Sequence, residues 1–317
     1  MKFIVLGAGG VGSYFAAKLL RAGHEVLLVA RGAHLEALRT EGLHLFHPDL
    51  TCSMPVHAVD MEALFSIDVL EYDAILLATK SMATREVAIF LAKRLRGNVK
   101  IPYIVSLQNG VENEAILCDY FAEEYVIGAL TRKIGAHVIA PGRIEAVGEA
   151  ETIVGTLFST TENELFLETL AQSFNEAGIP THTTYDIRQE LWKKLIINNG
   201  VNALCALLEV KTGVLFDDTK LSALVYGLMQ ETARAARSLH VKISQEDVDA
   251  MFELISHFDS IKPSMLVDWE HHRALEIDEI CGIVIRALHQ IGEDAAYTKT
   301  IATLLEFKTE KRNHDRD

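Results

Sequence analysis

The first thirty residues constrain the fold more than any other part of the chain. An apolar run, KFIVL, leads directly into the glycine-rich stretch GAGGVG, which opens the helical pattern VGSYFAAKLLRAG and precedes a second apolar run, EVLLVA. Strand, tight turn, helix and strand in this order predict the first unit of a parallel sheet. The three motif glycines, at positions 7, 9 and 12, permit a tight turn, close approach of a pyrophosphate to the main chain, and close packing of helix on strand. Because a helix N-terminus also offers unpaired N–H groups to phosphate, the predicted dinucleotide-binding residues are Gly7, Ala8, Gly9, Gly10, Val11 and Gly12.

The remaining patterns indicate an α/β fold in two domains. Apolar runs such as AILLATK and YIVSLQNG alternate with helical patterns, which is typical of a parallel sheet covered on both faces. Between about Tyr125 and Phe158, short strands and turns predict a small antiparallel extension of that sheet. Beyond Tyr185 only helical periodicity remains, near 187–209, 218–239, 245–257, 277–291 and 298–310. We therefore predict an N-terminal Rossmann-type domain over residues 1–184 and an all-α C-terminal domain over residues 185–317.

Composition excludes several classes of partner. The 317 residues carry a formal net charge of -14, which argues against a general affinity for nucleic acid or anionic membranes. The N-terminus has no signal-peptide pattern, and no apolar run is long enough to span a bilayer. The four cysteines are widely spaced and form no CxxC pair, so neither a disulfide framework nor a metal site is expected. A cytoplasmic location is expected, and a homodimer is possible.

Arginine replaces the usual acid after the second apolar run. Enzymes that use NAD commonly carry Asp or Glu there for the ribose 2′-hydroxyl, whereas this chain reads LLVARG and ends in Ala30 and Arg31. A planar guanidinium suits a 2′-phosphate, so Arg31 favours NADP, although a solvated arginine at a strand end is the alternative. Lys80, in ATKS, is placed at the same sheet edge. It is either a phosphate- or substrate-binding lysine or an ordinary surface lysine.

A polar stripe interrupts the largely apolar segment LWKKLIINNGVNALCALLEV. Lys194, Asn198 and Asn202 are four residues apart, so on a helix they drift by only about 80° and share one face. A solvated outer face is possible, but such faces usually carry Glu and Lys rather than repeated Asn. A lysine between two amides that faces a cleft can hold a carboxylate and protonate a developing alkoxide.

A second polar cluster lies in KPSMLVDWEHHRALEIDEICG. Ser264 and Glu276 are separated by a turn-rich aromatic segment, and Glu276 opens the next helix. A carboxylate in that position is either a functional group or only a favourable helix-terminal charge. The adjacent His271 and His272 lack zinc-ligand spacing and are interpreted as structural or solvated.

Several of these motifs occur together in one known family. GAGGVG, Arg31, TKS, SLQNG, LWKKLIINNGVNALCALL, PSMLVDWE and LEIDEICG follow the order and approximate spacing of the ketopantoate reductases. The chain resembles that family from its first strand nearly to its last helix. The resemblance implies reduction of 2-dehydropantoate to (R)-pantoate with NADPH, a step towards pantothenate and coenzyme A.

The resemblance also implies roles for individual residues. The family's catalytic lysine and glutamate fall on Lys194 and Glu276, and Glu276 is also expected to contact the cofactor. Its substrate-binding groups fall on Asn198, Asn202 and Ser264. Asn109 would lie near both nicotinamide and substrate. Arg31 matches the arginine that holds the 2′-phosphate, and Lys80 is assigned to the cofactor as well.

Three alternative functions remain open at this point. A paralogous reductase of another 2-oxo acid would share every residue named above. A non-catalytic NADP(H)-binding sensor would not need the positioned lysine and glutamate. A glycerol-phosphate or hydroxyacid dehydrogenase of similar build is a third option, disfavoured by the lysine-asparagine helix.

Overall fold

The computed structural model describes residues 1–257 and 260–314, which form two compact units. The first unit comprises Met1–Asn109 and Asn113–Ile187. The second comprises Gly110–Glu112 and the described chain from Arg188 onward. None of the helices in the described ranges has the length and apolar character that a bilayer crossing requires.

Strands and helices alternate in the first unit. Its strands are β1 (Lys2–Leu6), β2 (Glu25–Val29), β3 (Leu43–Phe46), β4 (Cys52–Met54), β5 (His57–Val59), β6 (Ala74–Leu77), β7 (Tyr103–Ser106), β8 (Val126–Arg132), β9 (Gly135–Ala140), β10 (Arg143–Val147), β11 (Glu151–Thr156) and β12 (Thr181–Thr183). Its α-helices are α1 (Gly10–Arg21), α2 (Gly32–Thr40), α3 (Thr84–Leu95), α4 (Asn113–Cys118) and α5 (Thr161–Glu176).

The main sheet has the order β12-β11-β8-β7-β6-β1-β2-β5. The central pairs β2–β1, β1–β6, β6–β7 and β7–β8 are all parallel. The chain winds from β1 towards β2 on one side and towards β6 on the other, so the topological switch point lies between β1 and β6. In open α/β sheets the crevice at the carboxyl ends of such strands is where ligands bind.

The expected antiparallel extension is only partly correct. Strand β11 does pair antiparallel with β8 and extends the main sheet. Strands β9 and β10 instead leave it and form a second sheet of order β4-β3-β10-β9. The prediction failed for these two strands because β10 pairs in parallel with β3, which lies about a hundred residues earlier in the chain.

Alternating side chains of β1 build two cores, one on each face of the main sheet. Phe3 and Val5 pack with the cluster that includes Tyr14 of α1 and Phe174 of α5. Ile4 and Leu6 pack on the opposite face in another cluster. A strand buried on both faces must be apolar throughout, which is why KFIVL has no alternating polar positions.

The second unit is helical in its described part. Its α-helices are α6 (Ile187–Leu208), α7 (Thr212–Asp217), α8 (Thr219–Ser238), α9 (Gln245–Ser256), α10 (Ser264–Glu270), α11 (Ile283–Gln290) and α12 (Ala296–His314), with a π-helical turn at Asp278–Gly282. Helix α6 begins with Ile187, the last residue of the first unit. The five helical segments predicted from periodicity correspond to α6, α8, α9, the π turn with α11, and α12. The segment after Ser264, predicted to be turn-rich, instead starts with α10, whose apolar residues are buried.

Candidate active site

The glycine loop lies at the switch point of the main sheet. Gly7 follows β1 with φ +99°, a backbone conformation that only glycine adopts without strain. A β-carbon there would be 2.7 Å from Thr79 N and would also strike Ala78. The loops after β1 and β6 therefore touch each other, and Gly7 is required by both its conformation and this contact.

The other loop glycines have different structural reasons. A β-carbon on Gly12 would collide with the Gly7 carbonyl oxygen, so this residue permits the close approach of α1 to β1. A β-carbon on Gly10 would collide with the Ala136 carbonyl group of β9. At Gly9, by contrast, no neighbouring atom lies within 4 Å of that position. Protein packing thus explains Gly10 and Gly12, whereas the space above Gly9 fits the pyrophosphate cradle that the motif predicts.

Arg31 is exposed at the first turn of α2. It follows β2 by two residues and precedes Gly32, the first residue of the helix. Its backbone is extended, and the first turn of α2 contains no acidic side chain. An exposed guanidinium at a helix N-terminus forms a locally positive surface suited to a phosphate.

A buried polar chain joins the loops that carry Lys80 and Asn109. Gln108 Nε2 donates to Thr79 O at 3.1 Å and to Thr84 Oγ1 at 2.9 Å. Thr84 Oγ1 donates in turn to Asn113 Oδ1 at 2.8 Å, and Asn113 Nδ2 donates to the Asn109 carbonyl at 2.7 Å.

These contacts position the turn at Asn109. Its carbonyl also accepts a hydrogen bond from Ser81 Oγ, and Gly110 follows it with φ +94°. The structure therefore brings the glycine loop, the Lys80 loop and the Asn109 loop to one edge of the main sheet. The sequence interpretation missed Gln108 and Asn113, although a glutamine directly before and an asparagine three residues after an NG step that follows an apolar strand are a polar signal.

In the second unit, α6 carries the predicted lysine-asparagine stripe. Lys194 and Asn198 are partly buried, and Asn202 is buried. Trp192, Leu195, Ile196 and Leu204 are all buried in the helical core, as their positions around the helix predict. The helix therefore presents Lys194, Asn198 and Asn202 on one side and its apolar residues on others.

Lys193 has a different environment from Lys194. Its Nζ lies 3.3 Å from Glu190 Oε1 and 3.2 Å from Asp247 Oδ1 of α9, with 22% of the side chain exposed. Lys193 therefore forms partly buried ion pairs within the helical unit, although it lies one residue off the lysine-asparagine stripe. The two adjacent lysines are thus distinguished by the face on which each lies.

Ser264 and Glu276 lie on two successive elements of the helical unit. Ser264 is the exposed first residue of α10, and Glu276 is 5% exposed immediately before Ile277 and the π-helical turn. Single π-helical turns inside α-helices occur frequently at functional sites. His271 and His272 are exposed, and His271 Nδ1 contacts the Val267 carbonyl at 2.8 Å.

An ion-pair network lies beside this π-helical turn. Arg286 reaches Asp278 Oδ1 at 2.5 Å and Glu112 Oε2 at 2.7 Å. The Asp278 carboxylate lies directly against Gly282, where a β-carbon would collide with it. Burial, followed by the charges of Glu276, Asp278 and Glu112, raises the pKa of Glu279. Four acidic side chains, Glu112, Glu276, Asp278 and Glu279, are thus grouped in this part of the helical unit, and Arg286 pairs with two of them, Asp278 and Glu112.

The two buried cysteines of the helical unit have thiols of raised pKa. Burial raises the pKa of Cys205 and of Cys281 to about 12, so both thiols remain protonated and behave as apolar side chains. Over residues 1–257 and 260–314, no group of three or more His, Cys, Asp or Glu side chains is arranged to hold a metal ion.

The fold and the glycine loop define a class of protein. A doubly wound parallel sheet with this loop at its switch point is a Rossmann-type dinucleotide-binding unit, here followed in the chain by a helical unit. The model of the ketopantoate reductase PanE/ApbA family matches residues 3–158, and the model of that family's C-terminal region matches residues 186–309. The chain therefore belongs to the ketopantoate reductase family, and it is an oxidoreductase.

Individual relatives match along nearly the whole chain. A 2-dehydropantoate 2-reductase of Pyrococcus abyssi is 31% identical over 309 residues, which are 97% of this chain and 98% of the relative. The crystal structure of a PanE/ApbA family ketopantoate reductase from Ralstonia eutropha is 28% identical, with a TM-score of 0.87 and coverage of 99% and 100%. A ternary structure of D-mandelate dehydrogenase with NADH and anilino(oxo)acetate is 24% identical, with a TM-score of 0.89 and 99% of both chains covered. This last likeness is one of fold.

Proposed function

We propose that the chain reduces 2-dehydropantoate to (R)-pantoate with NADPH, as a step in pantothenate and coenzyme A biosynthesis. The observation that carries the proposal is the full-length similarity to 2-dehydropantoate 2-reductases combined with the Lys194–Asn198–Asn202 face of α6. The substrate is a small 2-oxo acid, whose carboxylate and carbonyl need the cation and amides that this face carries.

The proposed chemistry follows from where charge develops. NADPH, when bound, supplies the hydride that reduces the C2 carbonyl. Lys194 donates a hydrogen bond to the carbonyl oxygen and then a proton to the alkoxide, because a cation beside the developing negative charge lowers the barrier. Glu276 binds the substrate hydroxyl, contacts the cofactor and orients Lys194. Asn198, Asn202 and Ser264 bind the remaining polar groups of the substrate.

The residues of the first unit support the cofactor assignment. The uncrowded space above Gly9 accepts a pyrophosphate, and Gly7–Gly12 with Lys80 and Asn109 surround the switch point. Arg31, two residues after β2 and with no acid in the first turn of α2, favours the 2′-phosphate of NADPH over the free hydroxyl of NADH. Asn109 is assigned to both nicotinamide and substrate.

The first experiment is an initial-rate assay of cofactor oxidation with purified protein. NADPH and NADH are each tested with 2-dehydropantoate, 2-oxoisovalerate, 2-oxo-2-phenylacetate and pyruvate. We expect kcat/KM to be highest for NADPH with 2-dehydropantoate. A higher value with another 2-oxo acid would replace the substrate while keeping the reaction. Consumption of neither cofactor with any acid would contradict the enzymatic proposal and favour a dinucleotide-binding sensor.

A further inference from the structure

Helix α6 contains an asparagine that is not part of the lysine-asparagine face. Asn199 is fully buried, at 0% exposure, next to Asn198 in the chain. Its Nδ2 donates to Thr232 Oγ1 of α8 at 2.9 Å and to Thr298 Oγ1 of α12 at 3.1 Å. One side chain thus bonds α6 to two neighbouring helices within the helical unit.

The direction of every bond in this network is determined. Thr232 Oγ1 donates its proton to the Leu228 carbonyl at 2.9 Å, and Thr298 Oγ1 donates its proton to Glu231 Oε2 at 2.7 Å. Both hydroxyls have therefore used their only proton and can only accept from Asn199. Glu231 also accepts the N–H groups of Tyr297 and Thr298, which fixes the first turn of α12.

Stability alone does not explain Asn199. Its Oδ1 is buried without a hydrogen-bond partner, and an unpaired buried acceptor is destabilising. An apolar residue of similar volume would remove that atom and leave no donor unpaired, since the two threonine protons are bonded elsewhere. An apolar side chain at position 199 would therefore be tolerated at least as well by the fold.

The hydrogen bonds of Asn199 are directional, so they fix the rotation of α6 about its own axis. Apolar packing does so less strictly. Asn199 is separated by about 100° around α6 from Asn198 and by about 60° from Asn202. A rotation of α6 that breaks the bonds to Thr232 and Thr298 would turn the lysine-asparagine face by the same angle. Apolar cores accept such repacking more readily than hydrogen-bonded ones do.

We propose that Asn199 is a positioning residue, which fixes the rotation of α6 and thereby the direction in which Lys194, Asn198 and Asn202 point. The inference rests on the proposed function for its effect on turnover. Its geometric part concerns the helical unit alone and can be measured without any substrate.

The test uses the full-length protein and a matched pair of core substitutions. Asn199→Leu removes the polar network at nearly constant volume, and Ile196→Val changes an equally buried residue of α6 that belongs to the apolar core. Thr232→Val removes one acceptor, and Thr232→Ser retains it. For each variant we would record the melting temperature, the Kd for NADPH, kcat and KM for the 2-oxo acid, and the side-chain amide signals of Asn198 and Asn202 in ¹H–¹⁵N spectra.

We expect Asn199→Leu to melt no lower than Ile196→Val and to bind NADPH within twofold of the wild type. Its kcat/KM for the 2-oxo acid should fall about 10–100-fold, since small displacements of positioned groups have large effects on rate. The Asn198 and Asn202 amide signals should shift in Asn199→Leu and Thr232→Val, and return towards wild type in Thr232→Ser. Ile196→Val should leave them unchanged.

The outcomes separate this inference from the proposed function. Unchanged amide signals in a folded Asn199→Leu or Thr232→Val variant would overturn the positioning role, whatever the enzyme does. A wild-type protein that turns over no 2-oxo acid would contradict the proposed function, while the amide shifts would still decide the positioning role. If Asn199→Leu does not fold, a wild-type spectrum for Thr232→Val overturns the inference and a shifted one supports it.

Discussion

Gly10 lies directly against the main chain of Ala136. The two residues are 126 positions apart in sequence, and a β-carbon on Gly10 would collide with the Ala136 carbonyl group and lie 2.7 Å from His137 N. The second sheet therefore packs on the start of α1 through β9. Gly9, one residue earlier, has no protein atom near its β-carbon position.

Alanine substitutions at these two positions should therefore have different effects, on stability at Gly10 and on NADPH binding at Gly9. Gly10→Ala should lower the melting temperature, because the colliding atoms belong to the backbone and cannot swing aside. Gly9→Ala should leave the melting temperature of the free protein unchanged and weaken NADPH binding by at least tenfold, since its methyl group enters the phosphate space. Thermal unfolding with and without NADPH measures both effects. Equal NADPH affinity in Gly9→Ala and the wild type would argue against a pyrophosphate at this position.

Arg31→Ala is expected to change the choice of cofactor. Loss of a charge-assisted contact to the 2′-phosphate should raise the KM for NADPH about 10–100-fold and leave the KM for NADH nearly unchanged. Arg21→Ala, in the last turn of α1 and so at the opposite end of that helix from the glycine loop, removes the same charge and serves as the control. Equal changes for both cofactors, or the same change in Arg21→Ala, would indicate a general charge effect rather than recognition of the phosphate.

Lys194 and Lys193 form a natural pair of test and control. Lys194→Ala should reduce kcat about 10²–10⁴-fold while NADPH still binds, because the proton donor and the cation at the carbonyl are both lost. Lys193→Ala removes the ion pairs with Glu190 and Asp247 and should affect stability more than kcat. Steady-state kinetics and cofactor titration by fluorescence distinguish the two. A Lys194→Ala variant with kcat near wild type would exclude this residue from the chemistry.

The buried carboxyl group of Glu114 should make the stability of the first unit depend on pH. Glu114 lies in α4 and is 3% exposed, and its burial outweighs the hydrogen bonds that Ser106 and its own main chain offer to the carboxylate. Burial raises its pKa from 4.5 to about 7. Since the folded pKa is the higher one, the protonated form stabilises the fold fully below pH 4.5, and this contribution is lost as the pH rises towards and through 7.

Glu114→Gln should remove that dependence. The shift corresponds to about 3 kcal/mol, so the variant should gain up to about 3 kcal/mol relative to wild type between pH 4.5 and pH 8. Denaturant unfolding of both proteins across this range measures the difference between their free energies of unfolding. The contributions of the other titrating groups are the same in both proteins and cancel in this difference. The exposed Glu123→Gln serves as the control. A constant difference between wild type and Glu114→Gln would show that Glu114 titrates normally.

Local patterns were sufficient for much of the fold. The strand, glycine loop and helix at the start of the chain were predictable because each signal lies within a few residues of the structure that it specifies. Helix α6 was predictable for the same reason. Its 3.6-residue period places Trp192 and Leu195 on a different side of the helix from Lys194. The family could also be identified from its motifs, because their order along the chain is itself sequence information.

The amino-acid sequence alone specifies the type and order of the elements and which side chains share a helix face. Long-range packing is what pairs β10 with β3, places the Ala136 main chain against Gly10 and bonds Asn199 to Thr298. Each of these contacts joins residues about a hundred positions apart, and hydrogen bonds between distant segments leave no periodicity in the chain that would reveal them. Local propensity acts over one or two turns, whereas register, close backbone approach and buried polar networks exist only once the segments have packed together.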